Sequence, residues 1–320
     1  MASSLDIKRR IRSINSTKKI TRAMEMVSAA KMRRAVSSVL GVRPYAHNAW
    51  HILTNLARAF ETYQENRYLV VRDVKRVLIV VVSSDRGLCG SFNTQIEKKI
   101  RDMVAHPNKL TVRRVGRKHV ESTVHEDAVA IDFITVGKKG ELMVRKLKKE
   151  IIAAFPNGAQ FSVLGDIKPL SSIVMEEYAA QRYDKVVVAY TDYVSAVTQQ
   201  TRIRQILPIS KIDIEEQIAE IDMLAKEYGI EETKMEYKVE PSPAELMEFL
   251  IPRLIAMQLF HAILESQASE HAARMVAMRN ATDAAAEMSE DLTLRYNQIR
   301  QGKITQEIAE ISAGSAALGN

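Results

Sequence analysis

One cysteine, Cys89, is present in 320 residues, which excludes an internal disulfide and points to a reducing compartment. No uninterrupted apolar run reaches the roughly 18 residues of a membrane span, and no apolar leader segment opens the chain, so neither a span nor a secretory signal is expected. Aromatic residues are scarce at 6 %, whereas methionines number 14. That mix suits helix seams better than a large sandwich core. Breakers are nearly missing from Ala244 to Leu318, where Pro252 comes early, Gly302 stands alone in the body and Gly314 lies in the tip. Such a stretch reads as one helix, and at about 1.5 Å per residue it exceeds roughly 100 Å, too long for a compact domain.

What is there follows from that length. Leu264, Ala268, His271, Met275, Met278, Thr282, Ala285, Ser289, Leu292, Tyr296 and Ile299 recur at alternating steps of four and three, a coiled-coil seam with small and polar members. A partner of similar length is available at the other terminus. Ser3 and Asp6 fit a capping box, followed by apolar Ile7, Ile11 and Ile14, and, after a slip near Ser16–Lys19, by Ile20, Met24 and Val27. Helix persists to about Leu40, Gly41 and Pro44 predict a kink, and helix resumes through Trp50–Phe60. The expectation is an antiparallel pair of terminal helices with the middle of the chain as a separate body.

The net charge of +7 is concentrated at the N-terminus, where Lys8, Arg9, Arg10, Arg12, Lys18, Lys19, Arg22, Lys31, Arg33 and Arg34 face only Asp6 and Glu25. A targeting peptide, a nucleic-acid arm and a dock for an acidic protein are the functional readings of such a helix, beside a merely solvated face. The seam shared with these residues argues against targeting. The lack of aromatics among them before Tyr45 argues against nucleic acid, because no stacking platform is present.

The middle of the chain has α/β punctuation. Arg76–Ser83 and Lys185–Thr191 read as strands buried on both faces, Ala128–Val136 as a weaker third, with helices at Thr94–Ala105, Glu141–Ala154 and Ile173–Gln181. The fold class is therefore α/β: a long antiparallel coiled coil plus a central Rossmann-like domain. Expected divisions are 1–60 for the first helix, 70–210 for the body, 211–240 for a partly helical insertion and 241–320 for the last helix.

No motif in the body carries chemistry outright. Ser84–Gly90, at the end of the first strand, matches neither a dinucleotide fingerprint nor a P-loop. Cys89 within it is a candidate nucleophile at a helix N-terminus, set against a plain buried thiol with no base in view. Gly137–Gly140 reads as a strand-to-helix turn more than a phosphate loop. His47 and His51 make an i,i+4 pair without the HExxH glutamate or a third ligand, so no metal is expected. No cofactor is expected either.

Four segments are specific enough to carry a family resemblance: Lys19–Val27 (KITRAMEMV), Ser84–Gly90 (SDRGLCG), Ala272–Asp283 (AARMVAMRNATD) and Tyr296–Glu307 (YNQIRQGKITQE). In this order they resemble the gamma subunit of F-type ATP synthases, strongly at both termini and weakly from about Arg101 to Lys168. The resemblance implies a non-catalytic central shaft rotating in a hexamer of alpha and beta subunits, one copy per complex, with the α/β body at the foot against epsilon and the c-ring. It implies coupling or rotor–stator roles for Met24, Arg274, Arg300, Gln301, Thr305 and Glu307. Lys8, Arg9, Arg10, Arg12, Lys18, Lys19 and Arg22 would dock electrostatically on beta, and Tyr237 and Glu240 would lie in the foot near the c-ring, with Glu240 close to Met24. Ordinary seam packing stays open for Met24.

Departures from the usual bacterial pattern are a longer Ser210–Val239, amphipathic at Ile214, Ile218 and Ile221, and an expansion around His106–Asp132. The first sits near the regulatory insertion of photosynthetic relatives but has no cysteine pair, so thiol control cannot operate through it. The expected location is the cytoplasmic face of a bacterial plasma membrane, with an organellar inner or thylakoid membrane as the alternative. Two competing functions make different predictions: salt-dependent binding to DNA or RNA, or an α/β enzyme disabled by Cys89→Ser.

Overall fold

The structure is a computed structural model describing residues 4–55, 67–68, 70, 72–111, 113–115, 118–120, 129–157, 161, 163–209 and 243–318; of these, 4, 42–55, 113–115, 118–120, 243–247 and 314–318 are described by backbone alone. The chain divides into two compact units, Met1–Ala29 with Arg274–Asn320, and Ala30–Ala273. Helix α1 (Ser4–Asn55) and helix α6 (Pro243–Leu318) each contribute to both.

In the larger unit a five-stranded sheet has the order β5-β4-β1-β6-β7, with β1 Arg76–Val82, β4 Ala130–Val136, β5 Ile151–Phe155, β6 Lys185–Tyr193 and β7 Gln199–Leu207. A separate short hairpin pairs β2 (Arg113–Val115) with β3 (Lys118–Val120). The first four strands of the large sheet run parallel, and β7 is antiparallel to β6. Every residue of β1 after Arg76 is buried, as a central parallel strand requires: with helices on both faces, neither set of side chains meets water. The two faces are separable in the sequence by parity. Leu78, Val80 and Val82 pack with α5 (Lys168–Ala179), with Ala35, Val36 and Val39 of α1, and with the Ile251–Ala272 part of α6. Val77, Ile79 and Val81 pack with α2 (Phe92–Ala105), with Leu110 of the one-turn helix α3 (Asn108–Thr111), and with α4 (Lys138–Lys146).

Helix α2 shows why these residues form these elements. Phe92, Ile96, Ile100 and Met103 recur on one face and are all buried, each contributing about 1.5–3 kcal/mol by leaving water. Helix α5 begins with Pro169 in its first turn, where the missing N–H has no helical partner to lose. The most apolar 18-residue window of α6 averages 1.3 in hydropathy, yet 78 % of it is buried inside the protein; its apolarity serves the core.

Several sequence expectations need correction. The helix predicted over Glu141–Ala154 stops at Lys146, and a turn with Lys148 at φ 53° leads into strand β5. Lys, Leu, Glu and Ala favour helix locally, but pairing of Ile151–Phe155 with Phe133–Val136 of β4 overrides them. Strand β7 was not anticipated, because QQTRIRQIL lacks an apolar run. Its charge is accommodated in place: Arg202 pairs with Asp192 at 3.0 Å, and Arg204 lies over the Tyr190 ring at 5.7 Å. Helix α1 continues through Gly41 and Pro44 to Asn55, with no interruption of the helix where the kink was expected. Asp6 stands in its first turn, while Ser3, the remainder of Trp50–Phe60 and the 211–240 insertion lie outside the described residues.

Candidate coupling surface on the paired helices

Within the smaller unit, Thr21 of α1 hydrogen-bonds Thr282 of α6 at 2.8 Å, and Asn15 bonds Ser289 at 3.0 Å. Descending numbers on one helix meet ascending numbers on the other, so the pair is antiparallel. The α1 seam is Ile7, Ile11, Ile14, Lys18, Thr21, Glu25 and Ser28, all buried or half-buried. It steps by four and three without a slip. The expected shift to Ile20, Met24 and Val27 is wrong: Ile20 and Val27 are 57 % and 56 % exposed, and Met24 only flanks the seam, half-buried. Thr21 and Ser28 were missed because an apolar count skips hydroxyl members. A polar-tolerant heptad would have found them.

On α6 the expected seam is followed closely, from buried Leu264 and Ala268 through Met278 and Thr282 to half-buried Ser289, Leu292 and Tyr296. Only Ile299, at 38 % exposure, falls outside it.

Among the basic candidates, Lys8, Arg9, Arg10, Arg12, Lys19 and Arg22 are exposed and Lys18 is half-buried. Arg22 spends part of its charge on Glu25 at 2.8 Å, an exposed-end pair worth well under about 1 kcal/mol. Arg274 is buried at 9 %. Arg300, Gln301, Thr305 and Glu307 are all exposed, and the Thr305 hydroxyl donates to the Gln301 carbonyl at 3.0 Å. Helix geometry separates Arg274 from Arg300 by roughly 39 Å, so these candidates form two stations on α6 and not one cluster. Register sets Met24 level with Arg279, beside the Arg274 station. Tyr237 and Glu240 lie outside the described residues, as do the side chains of His47 and His51.

Among the described residues, the larger unit fills the place where its fold would offer a site. Connections leave β1 and β6 in opposite directions, which makes the carboxyl ends of the strands the place for a ligand. Here the chain fills that place itself. Asp85 Oδ1 accepts the Lys138 N–H at 3.0 Å and the Asn157 N–H at 3.2 Å, so a carboxylate already occupies the α4 N-terminus. Asn157 Nδ2 donates to the Ser83 carbonyl at 2.6 Å, and Gln267 Nε2 donates to Asn157 Oδ1 at 3.0 Å. Gly137 sits at φ 100°, where a Cβ would fall 2.2 Å from the Ser83 oxygen, and a Cβ on Gly140 would fall 2.8 Å from Ser83 Oγ. Gly137–Gly140 is thus the packed junction of β4 with the first turn of α4. Cys89 is 2 % exposed, with Asn93 Nδ2 3.2 Å and Ser84 Oγ 3.9 Å from its sulfur. Its neighbours are an amide and a hydroxyl, neither of which serves as a base.

A family model described as ATP synthase matches residues 3–318. The ATP synthase gamma chain of Roseiflexus castenholzii is 37 % identical over 319 residues, covering 99 % of both chains, and that of Cytophaga hutchinsonii is 38 % identical over 320 residues, covering 100 % of both. The chain belongs to the ATP synthase gamma family. Structures agree at the level of fold: a chain from the OSCP/F1/c-ring portion of the Euglena gracilis mitochondrial ATP synthase has a TM-score of 0.59 at 18 % identity, covering 98 % of this chain and 94 % of that one. A chain of the Tetrahymena thermophila central stalk and c-ring has a TM-score of 0.55 at 24 % identity, covering 82 % and 99 %. As an ATP synthase gamma chain this protein is a rotor-stalk subunit without catalytic sites of its own, which lie in the beta subunits. The nucleic-acid reading has no support, and the Cys89 nucleophile is excluded with the enzyme it required.

Proposed function

We propose that the paired helices turn inside a hexamer of alpha and beta subunits, one copy per complex, coupling ion flow through a c-ring to ATP synthesis or hydrolysis. The observation that carries this reading is the charge on α1: six of its seven candidate docking cations are exposed on a helix whose other face is committed to α6. Such a stripe suits an acidic partner and steers association. Rotation then presents different faces of one asymmetric pair to each beta subunit, and rotor angle and nucleotide affinity become reciprocal free energies. Arg300, Gln301, Thr305 and Glu307 serve as one rotor–stator station and Met24 with Arg274 as a second. Residues 70–210 act as the foot against epsilon, and Tyr237 and Glu240 approach the c-ring. The complex is membrane-associated through that ring, on the cytoplasmic face of a bacterial plasma membrane.

The test is single-molecule rotation in complexes assembled with cognate alpha and beta subunits. Cys89 is too buried to carry the filament, so Val197→Cys, at a position 78 % exposed, supplies the attachment. One-directional stepping with hydrolysis dependent on this chain is the expected outcome. Failure to co-assemble, despite a folded chain, would sink the reading.

A further inference from the structure

Two side-chain hydrogen bonds described above join these helices, Asn15–Ser289 at an exposed flank and Thr21–Thr282 in the buried seam, where the dry surroundings make the threonine bond the stronger selector of register. Around it lie Lys18, Glu25 and Ser28 on α1, and Ala285 and Ser289 on α6. Apart from Met278, which is buried one turn from Thr282, these small, charged and hydroxyl side chains lose little when one helix slides a turn past the other, because few shaped apolar knobs leave their holes. The two threonines are buried, at 8 % and 7 % exposure, and their oxygens are 2.8 Å apart. Each hydroxyl also reaches a carbonyl of its own helix, Thr21 that of Lys18 at 3.1 Å and Thr282 that of Met278 at 2.8 Å.

A hydroxyl has one proton to give, so two arrangements are open. Thr282 donates to Thr21, which donates to the Lys18 carbonyl; or Thr21 donates to Thr282, which donates to the Met278 carbonyl. The bond between the helices is kept in both. After a slip of one turn, Thr21 faces Met278 or Ala285, each hydroxyl falls back on its own carbonyl, and the bond across the seam is lost. The pair therefore resists axial displacement without resisting small rotations of either hydroxyl.

We propose that Thr21 and Thr282 are positioning residues that pin the axial register of the two helices under torsional load, and so hold Met24, one turn along α1, at its working height. The consequence for coupling rests on the rotor reading above; the register itself does not.

The variants are Thr21→Val with Thr282→Val, and Thr21→Ser with Thr282→Ser as the conservative control. Valine keeps the shape, and removing both hydroxyls leaves no buried partner stranded, so folding is retained; thermal melts confirm it. Register is read in the assembled complex during ATP hydrolysis, in a Cys89→Ser background, by disulfide yield between Asn15→Cys and Ser289→Cys against the summed yields of Asn15→Cys with Ala285→Cys and of Asn15→Cys with Thr293→Cys, one turn to either side along α6. Loss of one net hydrogen bond corresponds to roughly a fivefold rise in the offset-to-native ratio. With it, ions pumped per ATP should fall in the valine pair and return in the serine pair. An unchanged cross-link ratio in the valine pair overturns the pin. A raised ratio with unchanged pumping per ATP overturns its role in coupling. Failure of the unsubstituted chain to assemble strikes the rotor reading instead, so the two failures are told apart.

Discussion

The two compact units bury different things. In Ala30–Ala273 both faces of the sheet are covered, and Leu78, Ile79, Val80, Phe133 and Val188 have no exposed surface. In the paired helices, by contrast, buried side chains include Ile7, Met278, Thr21, Ser28 and Thr282, while Met288, Leu294, Ile304 and Ile308 remain more than a third exposed. One region spends its sequence on apolar burial, the other on a polar seam and an outward-facing surface. A sheet covered on both faces by its own chain needs the first; two paired helices have a single seam to bury and can live with the second.

The largest effects should therefore come from the sheet. Ile79→Ala leaves a cavity between β1 and α2 and should cost about 2–5 kcal/mol, whereas Ile11→Ala, at a half-buried seam position, should cost about 1 kcal/mol or less. Denaturant melts of both variants measure the contrast, and equal losses would break it. Next comes Gly137→Ala. It combines a φ of 100° with a Cβ placed against the Ser83 carbonyl, and should cost at least about 2 kcal/mol. Gly302, with nothing within 4 Å of its added Cβ, is the control: Ala there should stabilise α6 by up to about 1 kcal/mol.

How far the sequence disclosed this division depends on the signal each region uses. The runs RVLIVVVS and KVVVAYT were legible as buried strands, because burial on both faces leaves a continuous β-branched record. The last helix was legible from its lack of breakers. Edge strands were not, since the short β5 (IIAAF) follows directly on a run of helix-favouring Leu, Arg and Lys that masks its start, and β7 carries glutamine, threonine and arginine; both exist because a neighbouring strand supplies the missing hydrogen bonds. The α1 seam was half legible. Ile7, Ile11 and Ile14 declare it, then Lys18 and Thr21 continue it in residues that an apolar count discards. The four family motifs located the candidate stations on α6, but the burial of Arg274 and the exposure of Arg300 became visible only with the helices paired.

A smaller effect concerns the amino end of the sheet, where Tyr178 is fully buried and its hydroxyl donates to the Val70 carbonyl at 3.0 Å. Burial pushes the phenol from its usual value of 10.0 up to about 12, against the attraction of the nearby Arg72 guanidinium. The folded state thus holds the proton more tightly than the unfolded one. Its contribution is complete below about pH 10 and is lost as pH rises through about 12. Tyr178→Phe should lose about 1 kcal/mol at neutral pH through the missing hydrogen bond and should flatten the fall in stability between pH 10 and 12. Melts at two alkaline pH values check the slope.

The smallest expected change in stability is also the one that separates the two regions by purpose. Replacing Lys8, Arg9, Arg10 and Arg12 with glutamine removes four exposed charges that repel one another along a single helix. Stability should shift by no more than about 0.5 kcal/mol, in either direction. Association is another matter. If the stripe steers the chain to an acidic partner, the rate of assembly with alpha and beta subunits should fall at low salt and lose most of its dependence on ionic strength. A stripe that is only a solvated face would leave the rate and its salt dependence unchanged. Because the melt is expected to stay put, any loss of assembly is a loss of recognition and not of folding, and the experiment reads directly whether the outer face of α1 is a surface for binding.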